Sequence, residues 1–316
     1  MQARSSSPPP LKRSRRAASP LPEESANGHA SGSGQYLQPL ALSILGVEPL
    51  DEFIKEIADF VHHMIKTRPD YPNGKVEVEA KVGVLRDRSS GQRLGLPVLV
   101  ETILAPMGAD SRFESNMSIQ QHKHYNTLLN QLKTASSQPD YGGSPVDYSH
   151  QYLTDTFYTP DGNDRDKVRV TRDDKTNTVL ETMRKIRLGD LNVYSPKQSA
   201  DWRVSVNLEV PEILPPVPHP IGTASFTRKK DRLSYSHQEF KIDLTQVTST
   251  TSPNATPQIL HELELEIARP DFLLATALKR GDPNVSEHER SAFDELIRAF
   301  VNNARILVRN ASDGWQ

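Results

Sequence analysis

The chain contains no cysteine. That excludes disulfides, thiolate metal sites and every cysteine-nucleophile mechanism, including the phosphatases that attack phosphorus with a low-pKa thiolate. No apolar run reaches about 18 residues, so no transmembrane helix is expected. The first residues lack the apolar stretch of a secretory signal, and an intracellular setting is the expectation. Neither sign of charge is in excess: 40 acidic and 38 basic residues leave a formal net charge of -2. Near-neutrality argues against a general nucleic-acid coat. Any polyanion chemistry must therefore come from a local arrangement of charges. A GxxxxGK[ST] phosphate loop and a GxSxG elbow are also missing, which sets aside P-loop and serine-hydrolase chemistry.

What is present divides into three stretches. Residues 1–40 are Ser, Pro, Ala, Gly and Arg with few large apolar groups. Such a segment buries too little surface to offset its ordering entropy, and reads as a disordered tail. Lys12, Arg13, Arg15 and Arg16 cluster in it, a nuclear-import or anionic-surface patch as readily as a solvated tail. Residues 41–310 read as one domain, and 311–316 as a C-terminal tail. Within the domain, Leu50, Phe53, Ile54, Ile57, Val61, Met64 and Ile65 recur at helical spacing, with a second helix over 119–132. A third runs from Ser286, which forms a capping box with Glu289 and carries an apolar stripe from Phe293 to Leu307. Between the helices the period changes to two. Strands are expected near 76–85, 97–104, 150–158, 166–172, 178–187, 201–210, 225–235, 238–247 and 259–268. They are separated by turn-rich stretches such as 159–163, 211–220 and 249–257. Strands in succession without intervening helices mean an antiparallel sheet or barrel.

The charges occupy one face of each strand. Glu77, Glu79 and Lys81 alternate with Val76, Val78, Ala80 and Val82, and Glu262, Glu264 and Glu266 alternate with Leu263, Leu265 and Ile267. Alternate side chains project together. Arg228, Lys230 and Arg232 form a basic row, and Lys167 with Arg169, Lys185 with Arg187, Lys241 with Asp243, and Arg203 with Glu209 share faces on other strands. For a single strand the ordinary outcome is a solvated outer face. Two carboxylate rows and several basic rows together look like two patches meeting. A barrel whose outside is apolar and covered by the helices would turn these rows into a polar lumen, and about eight strands enclose one small ligand. Carboxylates without His or Cys select a hard cation, Mg²⁺ or Mn²⁺. Rows of Arg and Lys suit a chain of phosphates. Together they describe a phosphoryl-transfer site. The pairs His62-His63 and His122 with His124 lack the carboxylate-plus-His grouping of a zinc site. Trp202 lies opposite Arg203 and reads as barrel packing.

Glu77-Val78-Glu79-Ala80-Lys81 is an ExExK strand that resembles the signature of the triphosphate tunnel metalloenzymes. With Glu262-x-Glu264-x-Glu266, Arg184-Lys185, Tyr194-Ser195-Pro196 and Lys241-Ile242-Asp243-Leu244-Thr245, residues 40–310 resemble the fungal-type RNA 5′-triphosphatases, the beta subunits of mRNA capping enzymes. The resemblance implies an α+β fold: an eight-stranded antiparallel β-barrel with packing helices on the outside, commonly a homodimer. It implies Glu77, Glu79 and Glu266 as metal ligands. Glu264, Glu209 and Asp243 would hold water, with Glu264 or Glu209 orienting the attacking one. Arg169, Lys230 and Arg232 would bind the γ-phosphate, Lys185 and Arg228 would be further cationic wall, and Glu262 and Thr245 supporting positions. The family carries Arg where this chain has Lys241, which keeps the charge and loses the bidentate fork. The implied activity is metal-dependent release of the γ-phosphate from 5′-triphosphate RNA in the nucleus, with Mg²⁺ or Mn²⁺. No Lys-x-Asp-Gly stretch is present, so a separate guanylyltransferase would be needed, and RNA polymerase II is a further implied partner. Proline segments at 7–10 and 20–22 offer extended docking motifs as readily as linker. The motif alone leaves two other readings open. One is a tunnel enzyme for small triphosphates such as tripolyphosphate, nucleoside or thiamine triphosphate. The other is a non-catalytic module that binds polyphosphate or RNA 5′ ends.

Overall fold

A computed structural model describes residues 40–46, 48, 51–105, 110–159, 167–212, 223–250 and 255–315. The basic cluster, both proline segments, and most of the 159–163 and 211–224 connections lie outside them. The chain forms two units, Met1–Pro49 and Leu50–Gln316. The described part of the first holds one turn, closed by the Gly46 N–H donating to the Ser43 carbonyl.

The second unit contains ten strands and four helices among the described residues. In chain order they are α1 (Glu52–Thr67), β1 (Lys75–Asp87), β2 (Thr102–Leu104), β3 (Ser111–Glu114), α2 (Ile119–Ser136), β4 (Asp147–Thr159) and β5 (Val168–Asp173). There follow β6 (Val179–Tyr194), β7 (Asp201–Pro211), β8 (Thr223–His237), β9 (Phe240–Thr250), β10 (Gln258–Ile267), α3 (Pro270–Lys279) and α4 (Glu287–Arg309). The sheet runs β10-β9-β8-β4-β5-β6-β7-β1, and β1 pairs back onto β10, so eight antiparallel strands close a barrel. The seam is formed by Glu79 opposite Glu266, Ala80 opposite Leu265 and Lys81 opposite Glu264. β3 extends β1, and β2 pairs with β6.

The hydrophobic core lies outside the barrel wall. Val76, Val78, Ala80 and Val82 of β1, Val204, Val206 and Leu208 of β7, and Leu263, Leu265 and Ile267 of β10 are all buried. They share one cluster with Ile54, Ile57 and Val61 of α1 and with Phe293, Ile297, Phe300 and Val301 of α4. Both helices are anchored at their starts: Asp51 accepts from the Ile54 N–H, and Ser286 and Glu289 form the capping box that their spacing implied. Trp202 is fully buried on the outer face, where its indole N–H donates to Glu101 and its ring lies 6.4 Å from that of Phe53.

Three departures from the sequence reading have local causes. The strand expected over 97–104 shortens to Thr102–Leu104, because Pro97 offers no N–H to a ladder and the Val98 N–H turns back to the Leu96 carbonyl. β3 is only four residues long and shows no period. It fits against β1 because Gly83 has no side chain: a Cβ there would lie 2.2 Å from the Glu114 carbonyl oxygen. α3 follows directly on β10, with Pro270 in its first turn and Leu273 and Ala277 on its buried side. The histidines have structural partners. His62 contacts the Ala277 carbonyl and His124 the Asn310 carbonyl. His122 rests on His261, ring centroids 4.8 Å apart, and burial, with that neighbour second, pushes it down to about 4.

This architecture makes stability depend on helix-to-wall packing. Phe300 is fully buried in that layer, so Phe300→Ala is expected to lower unfolding free energy by about 3–5 kcal/mol. Equilibrium denaturation by urea checks it, and a loss below about 1 kcal/mol would place the stabilising core elsewhere.

Candidate active site

With the apolar side chains turned outward, the other parity of every strand faces the lumen. A cavity of about 700 Å³ results. It is lined by all twelve residues singled out from the sequence: Glu77, Glu79, Arg169, Lys185, Glu209, Arg228, Lys230, Arg232, Lys241, Asp243, Glu264 and Glu266. The alternating rows therefore point inward. Their partners are one another and whatever occupies the cavity.

The acidic wall is β1 with β10. Glu79 is 6 % exposed and stands directly across the seam from Glu266. Asn207 of β7 donates to both Glu77 (2.9 Å) and Glu79 (3.2 Å), which fixes the two carboxylates side by side. Lysines hold the remaining charge. Lys185 lies 2.5 Å from Glu77 and 3.3 Å from Glu79, and Lys241 lies 2.7 Å from Glu266 and 3.7 Å from Asp243. Lys81 bridges Glu264 and Glu79. Burial pushes Glu79 up; Lys81 and Lys185 oppose it, Glu77 and Glu264 add to it, and the net shift is upward. Burial likewise leaves Glu266 above the ordinary carboxylate value, although Lys241 opposes it. Glu264 goes the other way: burial alone would raise it, but Lys81 and Arg232 hold it well below the carboxylate range. As the side chains stand, no three His, Asp or Glu among the described residues are grouped closely enough to hold a metal ion. The donors nevertheless suit a hard divalent cation: carboxylate oxygens on directly paired strands, desolvated, and now neutralised by mobile ammonium groups.

The basic wall stands across the lumen, since β4, with β8 and β5 on its flanks, is four strands from β1 in either direction around the barrel. Arg232 pairs with Asp243 at 3.0 Å, and the Ser234 hydroxyl donates to the same carboxylate at 2.6 Å. Arg169 reaches Glu181 at 3.0 Å and Glu209 at 3.5 Å. In both arginines the Nε–H is buried and has no hydrogen-bond partner among the described residues. A buried, unpaired cationic donor costs several kcal/mol as a rule. Two of them aimed into one cavity mark a place built for an oxyanion. Arg228 grips Glu262 through two 2.9 Å hydrogen bonds.

Sequence reasoning missed Asp155. It is 1 % exposed, lines the cavity, accepts from the Thr171 hydroxyl at 2.7 Å and lies 2.5 Å from the Lys230 ammonium. Its lumen-facing neighbours on β4 are Leu153 and Phe157, so no charge alternation announced it. The available signal was its register opposite Arg228 and Thr171. Asp155 also affects Lys230: burial pulls that ammonium down, Asp155 opposes, Arg232 adds to the fall, and the result lies below the ordinary lysine value. Asn207 was noticed only as a spacer between charges, and it is the clamp on the acidic pair.

Comparison with known proteins agrees with this geometry. The chain is 36% identical over 276 residues to the mRNA-capping enzyme subunit beta of Schizosaccharomyces pombe, covering 86% of each chain. It is 33% identical to the protein of the same name from Cryptococcus neoformans, over 90% of this chain and 70% of that one. A solved structure of the S. pombe Pct1 RNA triphosphatase in complex with the Spt5 CTD superposes with a TM-score of 0.75 at 35% identity, covering 87% of this chain and 100% of that one. The family profile described as mRNA capping enzyme, beta chain, matches residues 47–313, and the chain belongs to that family.

Proposed function

We propose that this protein hydrolyses the terminal anhydride of 5′-triphosphate RNA, releasing the γ-phosphate and leaving 5′-diphosphate RNA, the first step of cap formation. The observation that carries the reading is the closed lumen in which an acidic wall faces a basic wall holding two buried, unpartnered arginine Nε–H groups. In this reading Arg169, Lys230 and Arg232 bind the γ-phosphate, with Lys185, Arg228 and Lys241 along the rest of the chain of phosphates. Glu77, Glu79 and Glu266 would hold a divalent cation, Mg²⁺ or Mn²⁺, which when bound neutralises phosphate charge and polarises the phosphoryl group. Glu264, Glu209 and Asp243 accept hydrogen bonds from water on the acidic side. Because Glu264 is held ionised, it orients water rather than storing a proton. That suffices, since phosphoryl transfer is loose and asks little of its nucleophile. Most of the rate then comes from charges already in place in a water-poor lumen.

The wider setting belongs to the same proposal. The absence of a Lys-x-Asp-Gly stretch supports a separate guanylyltransferase as partner. The basic cluster at 12–16 supports a nuclear address. The S. pombe relative was solved with the Spt5 CTD, which supports contact between this protein and the transcription machinery, RNA polymerase II included. A homodimer is the assembly that the family resemblance implies.

Phosphate release from γ-labelled triphosphate RNA, with and without divalent metal and alongside free ATP, tests the activity. Glu77→Ala, Glu79→Ala and Glu266→Ala are each expected to abolish release while the far-ultraviolet circular dichroism stays that of the parent, and chelation should do the same to the parent. Turnover surviving in all three variants would remove the metal assignment. Arg169→Ala, Lys230→Ala and Arg232→Ala should each cost on the order of 10²-fold or more in kcat. Uniformly small losses across the three would count against a phosphate wall.

A further inference from the structure

The lumen has two mouths, and they differ. At one, β4 ends at Thr159, β8 begins at Thr223 and β5 begins at Val168. The aromatic side chains that line the cavity, Phe113, Phe157 and Phe226, all sit toward this end. Phe157 and Phe226 are register partners on neighbouring strands, and their rings are parallel, 9° between planes with centroids 4.2 Å apart. The Lys167 ammonium lies 5.4 Å from the Phe226 centroid. Both rings are half-buried, and neither belongs to the hydrophobic core between wall and helices. A stacked aromatic pair in an otherwise ionic lumen, with a cation over it, does nothing for phosphate binding. It is the surface on which single-stranded nucleic acid binders stack bases.

Spacing fits that use. Phe226 is four residues from Lys230 on the same face of β8, about 13 Å at the rise of an extended strand. That distance accommodates a chain of phosphates and a ribose between the γ-phosphate contacts and the first base. Arg187, whose side chain is 70% exposed, and Arg228 line the cavity between the two levels and face the bridging phosphates.

Resting on the triphosphatase reading above, we propose that the Phe157–Phe226 pair is the platform on which the first base of the RNA stacks, and that it makes the site prefer triphosphate carried on RNA over inorganic triphosphate. The pair is a positioning element: it touches the base and holds the phosphates in register with Arg169 and Lys230. Lys167 adds charge at the same mouth, and the RNA enters there.

Phe157→Leu and Phe226→Leu keep an apolar side chain of similar bulk and remove the ring. Two readouts are compared in each variant: KM and kcat for triphosphate RNA, and the inhibition constant of inorganic tripolyphosphate used as a competitor. The expected result is a KM for RNA raised about tenfold or more, a kcat changed less than KM, and tripolyphosphate inhibition unchanged within about twofold. Phe226→Tyr should restore the RNA value. Equal weakening of RNA and tripolyphosphate would make the pair a structural plug and overturn the proposal. So would an unchanged KM for RNA in both variants. The underlying activity is judged separately on the unsubstituted protein: if it releases no phosphate from triphosphate RNA, the functional reading itself fails, whatever the phenylalanine variants do.

Discussion

Everything in this structure depends on pairing charges that have been taken out of bulk water. The barrel interior holds Glu77, Glu79, Glu264 and Glu266 against Lys81, Lys185 and Lys241, and Asp155 and Asp243 against Lys230 and Arg232. Removing one member of such a pair leaves its partner charged and desolvated, a penalty of about 3–5 kcal/mol. The opposing directions in which Glu79 and Glu264 shift show how fine the balance is. Two carboxylates two strands' width apart differ in ionisation because one is answered by two cations at close range and the other is crowded by its own kind. A polyanion with a divalent cation suits this lattice, since it replaces lysine–carboxylate contacts without leaving either wall unanswered.

That ionic interior is possible because the hydrophobic core was moved elsewhere. α1 and α4 cover the outer faces of β1, β7 and β10, so the wall is held from outside. The lumen can then be filled with groups chosen for chemistry, and the strands that carry them remain fixed by a buried surface on their other side. The side chains that meet the substrate are thus positioned by rigid elements, with little loop involvement, which is what electrostatic preorganisation requires.

Much of this was legible in the sequence because strand parity is unforgiving. In Val76 to Val82 and Glu262 to Ile267, one register places every carboxylate on one side, and the helical stripes at 50–65 and 293–307 said which side would be covered. The legible site residues were those that belong to a row. Asp155 does not: it sits between Leu153 and Phe157 on the inner face of β4, and only its pairing with β5 and β8 reveals it. Asn207 looked like filler because a neutral amide breaks a charged pattern. β3 was hidden for a different reason. Four residues carry no period, and their place is secured by a glycine on another strand. α3 carried a signal in Pro270 and the Leu273–Ala277 spacing, but the apolar residues on both sides of it blurred the stripe.

The seam that closes the barrel has a temporal meaning. Its three residue pairs join the first long strand of the domain to the last, separated by nearly the whole chain. Contacts of such sequence separation form late. A ribosome-bound chain that has not yet released its final strand owns the basic half of the chamber and only part of the acidic one, with Glu77 and Glu79 but neither Glu264 nor Glu266. Competence therefore arrives in one step, when synthesis is nearly complete, and no partly made copy can act on a transcript.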